Sequence, residues 1–85
     1  MSTQVKVLYF AAARDVTQIT EEVLVLPENK PTLRDLTMKL VDKYGDYLEK
    51  ILDQSMYAIN MEYVDKESKI YSGDEIAVIP PVSGG

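Results

Sequence analysis

The chain has neither cysteine nor histidine among its 85 residues. A thiolate nucleophile, the commonest metal ligand and the usual general base are therefore all missing. What remains with reactive promise is the main-chain carboxylate of Gly85, reached through Pro80-Pro81-Val82-Ser83-Gly84. Glycine carries no Cβ, so the last two residues can take almost any φ/ψ and pass through a channel too narrow for side chains. The six residues from Pro80 to Gly85 extend to roughly 20 Å at about 3.3 Å each. Pro80-Pro81 stiffens the base of this stalk and lowers the entropy lost on insertion. Taken alone, a Gly-Gly end is equally a frayed terminus. Behind a stiff base it is expected to present its carboxylate to another protein.

The elements that must carry this end follow from periodicity. Gln4–Phe10 begins by alternating and then turns apolar, which predicts a central strand. Ala11–Asp15 breaks that period and suits a loop or single turn. Val23–Leu26 is strand-like and is stopped by Pro27, so the first two strands are expected to form a hairpin. Thr32 is a predicted N-cap with Asp35 completing a capping-box pair. Leu33, Leu36, Leu40, Val41 and Tyr44 form one helical stripe, ended by an αL glycine at Gly45. Tyr47–Leu52 adds a short second helical turn. Short strands return at Tyr57–Ile59 and Tyr63–Val64, and Ser72-Gly73-Asp74 turns into a last strand, Glu75–Ile79.

The order β-β-α-β-β puts one main helix on a mixed sheet of four to five strands. The first and last strands, the most apolar, are expected side by side at its centre. This is an α+β class chain with the β-grasp, or ubiquitin-like, arrangement. It divides into a domain over 1–79 and a flexible C-terminal tail over 80–85.

Composition narrows the function. One domain of this length buries roughly 60–65% of its unfolded surface, and 46% apolar content is enough to fill its core. A net charge of −5 with nine scattered basic residues argues against nucleic acid, which needs clustered Lys and Arg. That charge serves solubility or steering toward a basic protein surface; both readings stay open. No disulfide frame or zinc ribbon is possible without cysteine. The sequence shows neither a signal peptide nor an apolar run of spanning length, which leaves the cytosol as the expected location.

Val7-Leu8-Tyr9-Phe10-Ala11, Arg14, Ala58-Ile59-Asn60 and the block Ser72-Gly73-Asp74-Glu75-Ile76-Ala77-Val78-Ile79-Pro80-Pro81-Val82-Ser83-Gly84-Gly85 together resemble the small, sulfur-carrying subunit family of molybdopterin synthase. The resemblance runs over nearly the whole chain, although between the main helix and the third strand it is one of pattern only. It implies that an adenylating enzyme related to ubiquitin E1s activates Gly85 as an acyl-adenylate, consuming ATP and Mg²⁺. Sulfur then replaces the adenylate to give a thiocarboxylate. It further implies delivery of that sulfur to cyclic pyranopterin monophosphate inside the synthase's large subunit, in a heterotetramer with two copies of each subunit. The chain is then a carried group with its handle, and no enzyme by itself.

The resemblance also places Phe10, Tyr63 and Ile79 where family members display an apolar surface to both partners; for Ile79, core packing is an equal alternative. Arg14 stands where the family also carries Arg, and it either contacts an acidic partner surface or is a solvated loop residue. Asn60 is expected to fix a turn through αL geometry or side-chain bonding. Asp74-Glu75 reads as an exposed turn with no acid–base role, and Met38, Met56 and Met61 read as gap fillers. Three functional classes compete, the third being a β-grasp interaction module whose tail is inert. A ubiquitin-like modifier would join Gly85 to lysines, whereas a sulfur carrier ends as a thioacid; carriers for thiamine or tRNA thiolation are the runner-up within the second class.

Overall fold

The computed structural model describes residues 2–81; the expectations for Val82, Ser83, Gly84 and Gly85 concern residues outside them. Its elements run β1 (Thr3–Tyr9), α1 (Ala11–Thr17), β2 (Glu21–Leu26), α2 (Leu33–Tyr44), α3 (Asp46–Asp53), β3 (Met56–Ile59), β4 (Glu62–Val64) and β5 (Glu75–Ile79). The five strands form one mixed sheet in the order β2-β1-β5-β3-β4. β1 and β5 are parallel neighbours, with Val7 beside Ile76 and Tyr9 beside Val78. β1–β2, β3–β4 and β3–β5 are antiparallel.

Strand alternation divides the sheet into two faces. Val5, Val7 and Tyr9 of β1, Leu24 and Leu26 of β2, Tyr57 of β3 and Ile76 and Val78 of β5 are buried together. Against them pack Leu33, Leu36 and Leu40 of α2 and Leu48 and Leu52 of α3. All five leucines are at most 1% exposed, and each such burial contributes about 1.5–3 kcal/mol.

The capping box is present as expected. Thr32 N–H donates to Asp35 Oδ2 at 2.8 Å while the Thr32 side chain accepts from the Asp35 N–H. The first-turn donors that a box leaves over are met from the loop between β4 and β5. Leu33 N–H reaches the Ser68 carbonyl and Arg34 N–H the Lys66 carbonyl, each at 2.9 Å, so few orphan groups remain at this helix end.

Three local readings are corrected. Ala11–Asp15 is not a loop but the start of α1, a seven-residue helix. A run of three alanines has high helix propensity, and Ala13 and Thr17, four residues apart on one face, are both buried. The segment at Tyr47–Leu52 is a full eight-residue helix, α3. Gly45 is not αL: at φ 91, ψ −168 it is both the C-cap of α2 and the N-cap of α3. That region belongs almost only to glycine, and it lets one helix turn straight into the next.

One carboxylate clips the hairpin to α2. Glu22 accepts from Tyr44 Oη at 2.6 Å, from Tyr9 Oη and from Lys43 Nζ, and the two tyrosine rings meet edge to face at 6.3 Å. Burial by itself would raise the Glu22 carboxyl, but the hydrogen bonds from Lys43, Tyr44 and Tyr9 together draw it below its ordinary value of 4.5. Burial and the neighbouring carboxylate push both tyrosine hydroxyls upward, so they stay donors.

A carboxyl depressed by folding stabilises the fold above its unfolded pKa, and that stabilisation is lost as pH falls through the lower folded value. In denaturant melts taken from neutral to acid pH, Glu22→Gln should therefore cost about 1–2 kcal/mol at pH 7, with the gap to wild type closing on the acid side of 4.5. Gly45→Ala meets no atom within 4 Å of its new Cβ, yet should cost about 1–3 kcal/mol from backbone strain alone.

Candidate functional site

The end of β5 is where the described residues approach the C-terminal carboxylate, and β1 ends beside it. Phe10 follows β1 in extended geometry (φ −122, ψ 154), and its N–H donates to the Val78 carbonyl at 3.3 Å. Ile79, the last residue of β5, stands opposite Met56. Pro80 is buried and Pro81 exposed, so packing of the body continues one residue past Ile79.

Residues that alternate with the core positions lie on the sheet face away from α2 and α3. One row crosses that face as Leu8, Ala77, Ala58 and Tyr63, joined by the β1–β5, β5–β3 and β3–β4 registers. The neighbouring row, nearer Pro80, holds Ile79 and Met56, and alternation carries Phe10 to the same side. Two alanines at the centre make a low floor. Around it stand Phe10 (45% exposed), Met56 (57%) and Tyr63 (67%), while Ile79 is half-buried. An ion pair between Lys6 and Glu21 at 3.2 Å borders the face on the side remote from Pro80.

Such a surface does no bond chemistry. It is an apolar patch edged by exposed aromatic side chains, of the kind that marks binding surfaces.

Three of the predicted interface residues, Phe10, Tyr63 and Ile79, are thus brought onto one face next to the base of the tail. Arg14 is not among them. It is exposed on α1, a helix that packs against α3, and it makes no ion pair among the described residues. The methionine reading is overturned: Met38, Met56 and Met61 are 65%, 57% and 91% exposed and fill no gap in the core. Met56, Leu8, Ala58 and Ala77 were missed as members of the face. Their signal was present in the alternation, but it becomes readable only when the register between β3 and β5 is known.

Asn60 holds the far end of the site. Asn60 (φ 50) and Met61 (φ 74) are both left-handed, as the two-residue turns favoured in hairpins require. The Asn60 side chain donates to Asp74 Oδ1 and accepts from the Glu75 N–H, both at 2.9 Å. Asp74 also accepts from the Tyr71 N–H at 2.9 Å. This pins the β3–β4 hairpin to the entry of β5 and fixes the register that builds the face.

The model of the ThiS family matches residues 7–85. A molybdopterin synthase sulfur carrier subunit of Dictyostelium discoideum is 41% identical over 87 residues, covering all of both chains. A solved structure of a putative molybdopterin converting factor subunit 1 from Pyrococcus furiosus has a TM-score of 0.82 at 30% identity, covering 94% of this chain and 99% of that one. The fold is the β-grasp. A subunit of the complex between subunits 1 and 2 of the molybdopterin-converting factor from Helicobacter pylori matches with a TM-score of 0.65 at 27% identity, over 98% of this chain and 100% of that one.

Asn60→Ala should cost about 1–2 kcal/mol in a denaturant melt, since it strands the Glu75 N–H and frees the hairpin. Tyr63→Ser, on an exposed position of the same hairpin, should stay within about 0.5 kcal/mol.

Proposed function

This chain belongs to the ThiS family, and from that premise we propose that it is the sulfur carrier subunit of a molybdopterin synthase. The observation that carries the reading is that the likeness extends to Gly85 itself: the family model runs to residue 85, and the Dictyostelium relative is covered end to end.

In this reading a partner enzyme related to ubiquitin E1s binds ATP and Mg²⁺. The Gly85 carboxylate attacks the α-phosphorus, pyrophosphate leaves, and an acyl-adenylate forms. A sulfur nucleophile displaces AMP and leaves a C-terminal thiocarboxylate. That group is anionic at neutral pH and its sulfur is a capable nucleophile, so it does the work of an activated cysteine in a chain that has none. The loaded end enters the large subunit, its sulfur takes the place of a carbon-bound oxygen of cyclic pyranopterin monophosphate, and water cleaves the resulting thioester to restore the Gly85 carboxylate. Two transfers supply the dithiolene, with two copies of each subunit assembled together.

The chain's own residues contribute delivery. The face of Phe10, Met56, Tyr63 and Ile79 docks on the partner beside the exit of the tail, so association and insertion happen at one end of the body. Docking first turns the entry of Gly85 into a local event at high effective concentration. The H. pylori complex of two such subunits supports a partner of this kind.

Incubation with the adenylating enzyme of the same organism, ATP and a sulfur donor should exchange one oxygen for sulfur at Gly85, read by intact mass and fragment mass. No exchange in the wild-type chain would sink the proposal. Deleting Gly85 should abolish the exchange while leaving the melt within about 0.5 kcal/mol. Phe10→Ser and Tyr63→Ser should each weaken binding to the large subunit about 10-fold or more, measured by calorimetry, with little change in stability.

A further inference from the structure

The sheet ends on β2, and the register fixes which of its backbone groups are left over. Tyr9 N–H donates to the Thr20 carbonyl at 2.8 Å. Bonded pairs alternate with non-bonded ones along an antiparallel ladder, so they continue at Val7–Glu22, Val5–Leu24 and Thr3–Leu26. Glu21, Val23 and Val25 therefore turn their N–H and C=O groups away from β1, toward solvent. The side chains of Val23 and Val25 are 56% and 49% exposed on the open face. On the helical side, a cleft of about 380 Å³ lies beside the end of the same strand. Pro27 and Glu28 form one wall, and Asp35, Met38, Lys39 and Asp42, at successive turns of α2, form the other. Lys43, near the end of α2, reaches Glu22 near the start of β2, so the helix follows the strand along this edge. Met38 stands 65% exposed in the middle of that stripe.

We propose that the β2 edge is a docking site for an extended basic segment of another protein, which adds antiparallel to β2 as a sixth strand. Strand addition supplies main-chain hydrogen bonds, and alternate side chains supply the selection. An antiparallel newcomer bonds through the residues directly opposite Val23 and Val25, and their side chains fall on the open face. Apolar groups suit those positions because they cover the two valines. The intervening side chains turn to the cleft, where Glu28, Asp35 and Asp42 outnumber Lys39. Among the described residues neither Glu28 nor Asp42 forms an ion pair. Lysine or arginine suits these positions, with its stem along Met38 and its charge at the carboxylates. A second copy of this chain is the wrong occupant: it would bring Glu21 and Glu22 of its own β2, on a body of net charge −5, to an edge already acidic. β2 runs away from the tail, since Leu26 lies opposite Thr3. This edge and the face at Phe10 can therefore be occupied together.

The probe is the peptide acetyl-(Lys-Val)₃-Lys-amide, titrated into the full chain at low salt and followed by amide NMR. Exchange of the Val23 and Val25 amides should slow about 10-fold or more at saturation, with shift changes along β2 and the outer stripe of α2 and none at Phe10 or Tyr63. Methylating the valine nitrogens of the probe, which face β2, should weaken binding about 10-fold or more. Methylating the lysine nitrogens, which face away, should weaken it less than about threefold. Replacing the lysines of the probe by glutamate should abolish binding. On the protein, Val23→Pro removes an outward donor without touching the β1 ladder and should match the valine methylation; if that variant does not fold, the two methylated probes decide alone. Equal losses from both methylations, or shifts centred on Phe10 and Tyr63, would overturn the proposal. So would an absence of binding, or a wild-type chain that sediments as a dimer with Val23 and Val25 already protected.

Discussion

The parallel pairing of β1 with β5 is the constraint on which the rest depends. It joins the two ends of the chain's sequence at the middle of the sheet, Lys6 beside Glu75 through Tyr9 beside Val78. Parallel neighbours cannot be linked by a tight turn, so everything between them must travel out, cover a face and return. The helices fill that route, and their leucines bury against Val7, Ile76 and Val78. Because both central strands run the same way, both finish at the same end. That single fact puts Phe10, Ile79 and Pro80 within one neighbourhood. An antiparallel pair would have sent the aromatic anchor and the tail to opposite poles.

The same pairing separates two tasks that a small domain would otherwise have to mix. The helix-side face is given to stability, with fifteen residues in one buried cluster. The opposite face leaves Tyr63, Met56 and Phe10 at 45% exposure or more. Substitutions at these exposed positions leave the core untouched. A change at Val7 or Leu40 would do the reverse.

What the sequence made legible follows from this division. The capping box at Thr32, the leucine stripe of α2 and the central placement of the first and last strands were readable, because each is set by local chemistry or by overall apolarity. The strands that contain Tyr63 and Ile79, and the one that ends just before Phe10, are readable too, although the resemblance to a family assigns these residues to a surface. α1 was missed because seven residues hold too few helical turns to show a period, and its burial rests on Ala13, which no hydropathy pattern marks. The turn at Gly45 was read as αL because that is the commonest role of a glycine after a helix. A second helix starting at Asp46 demanded a different ψ. The three methionines read as core because methionine is apolar in any scale, while their exposure is set by where each stands: Met38 on the outer side of α2, Met56 on the open face of β3 and Met61 in the turn before β4. The Glu22 cluster was invisible for a similar reason: Tyr9, Lys43 and Tyr44 reach it only through the tertiary fold.

An apolar recognition face on an 85-residue body invites self-association. The unpaired edge makes this worse: β2 lies at the rim of the sheet, with Val23 and Val25 56% and 49% exposed, and such edges template further pairing. The charge distribution works against that outcome. At a net charge of −5, two copies repel as they approach, whereas a partner with a basic rim is attracted. The other edge, β4, has only three residues and begins with Glu62, which leaves little to pair. Of the two uses of the acidity left open by the sequence, solubility and steering, repulsion between copies serves the first and is compatible with the second. That repulsion weakens as salt screens it, since the Debye length falls from about 10 Å at 0.1 M to about 3 Å at 1 M, whereas the hydrophobic contact does not. On the proposed docking, charge acts at long range and the aromatic-rimmed face on contact.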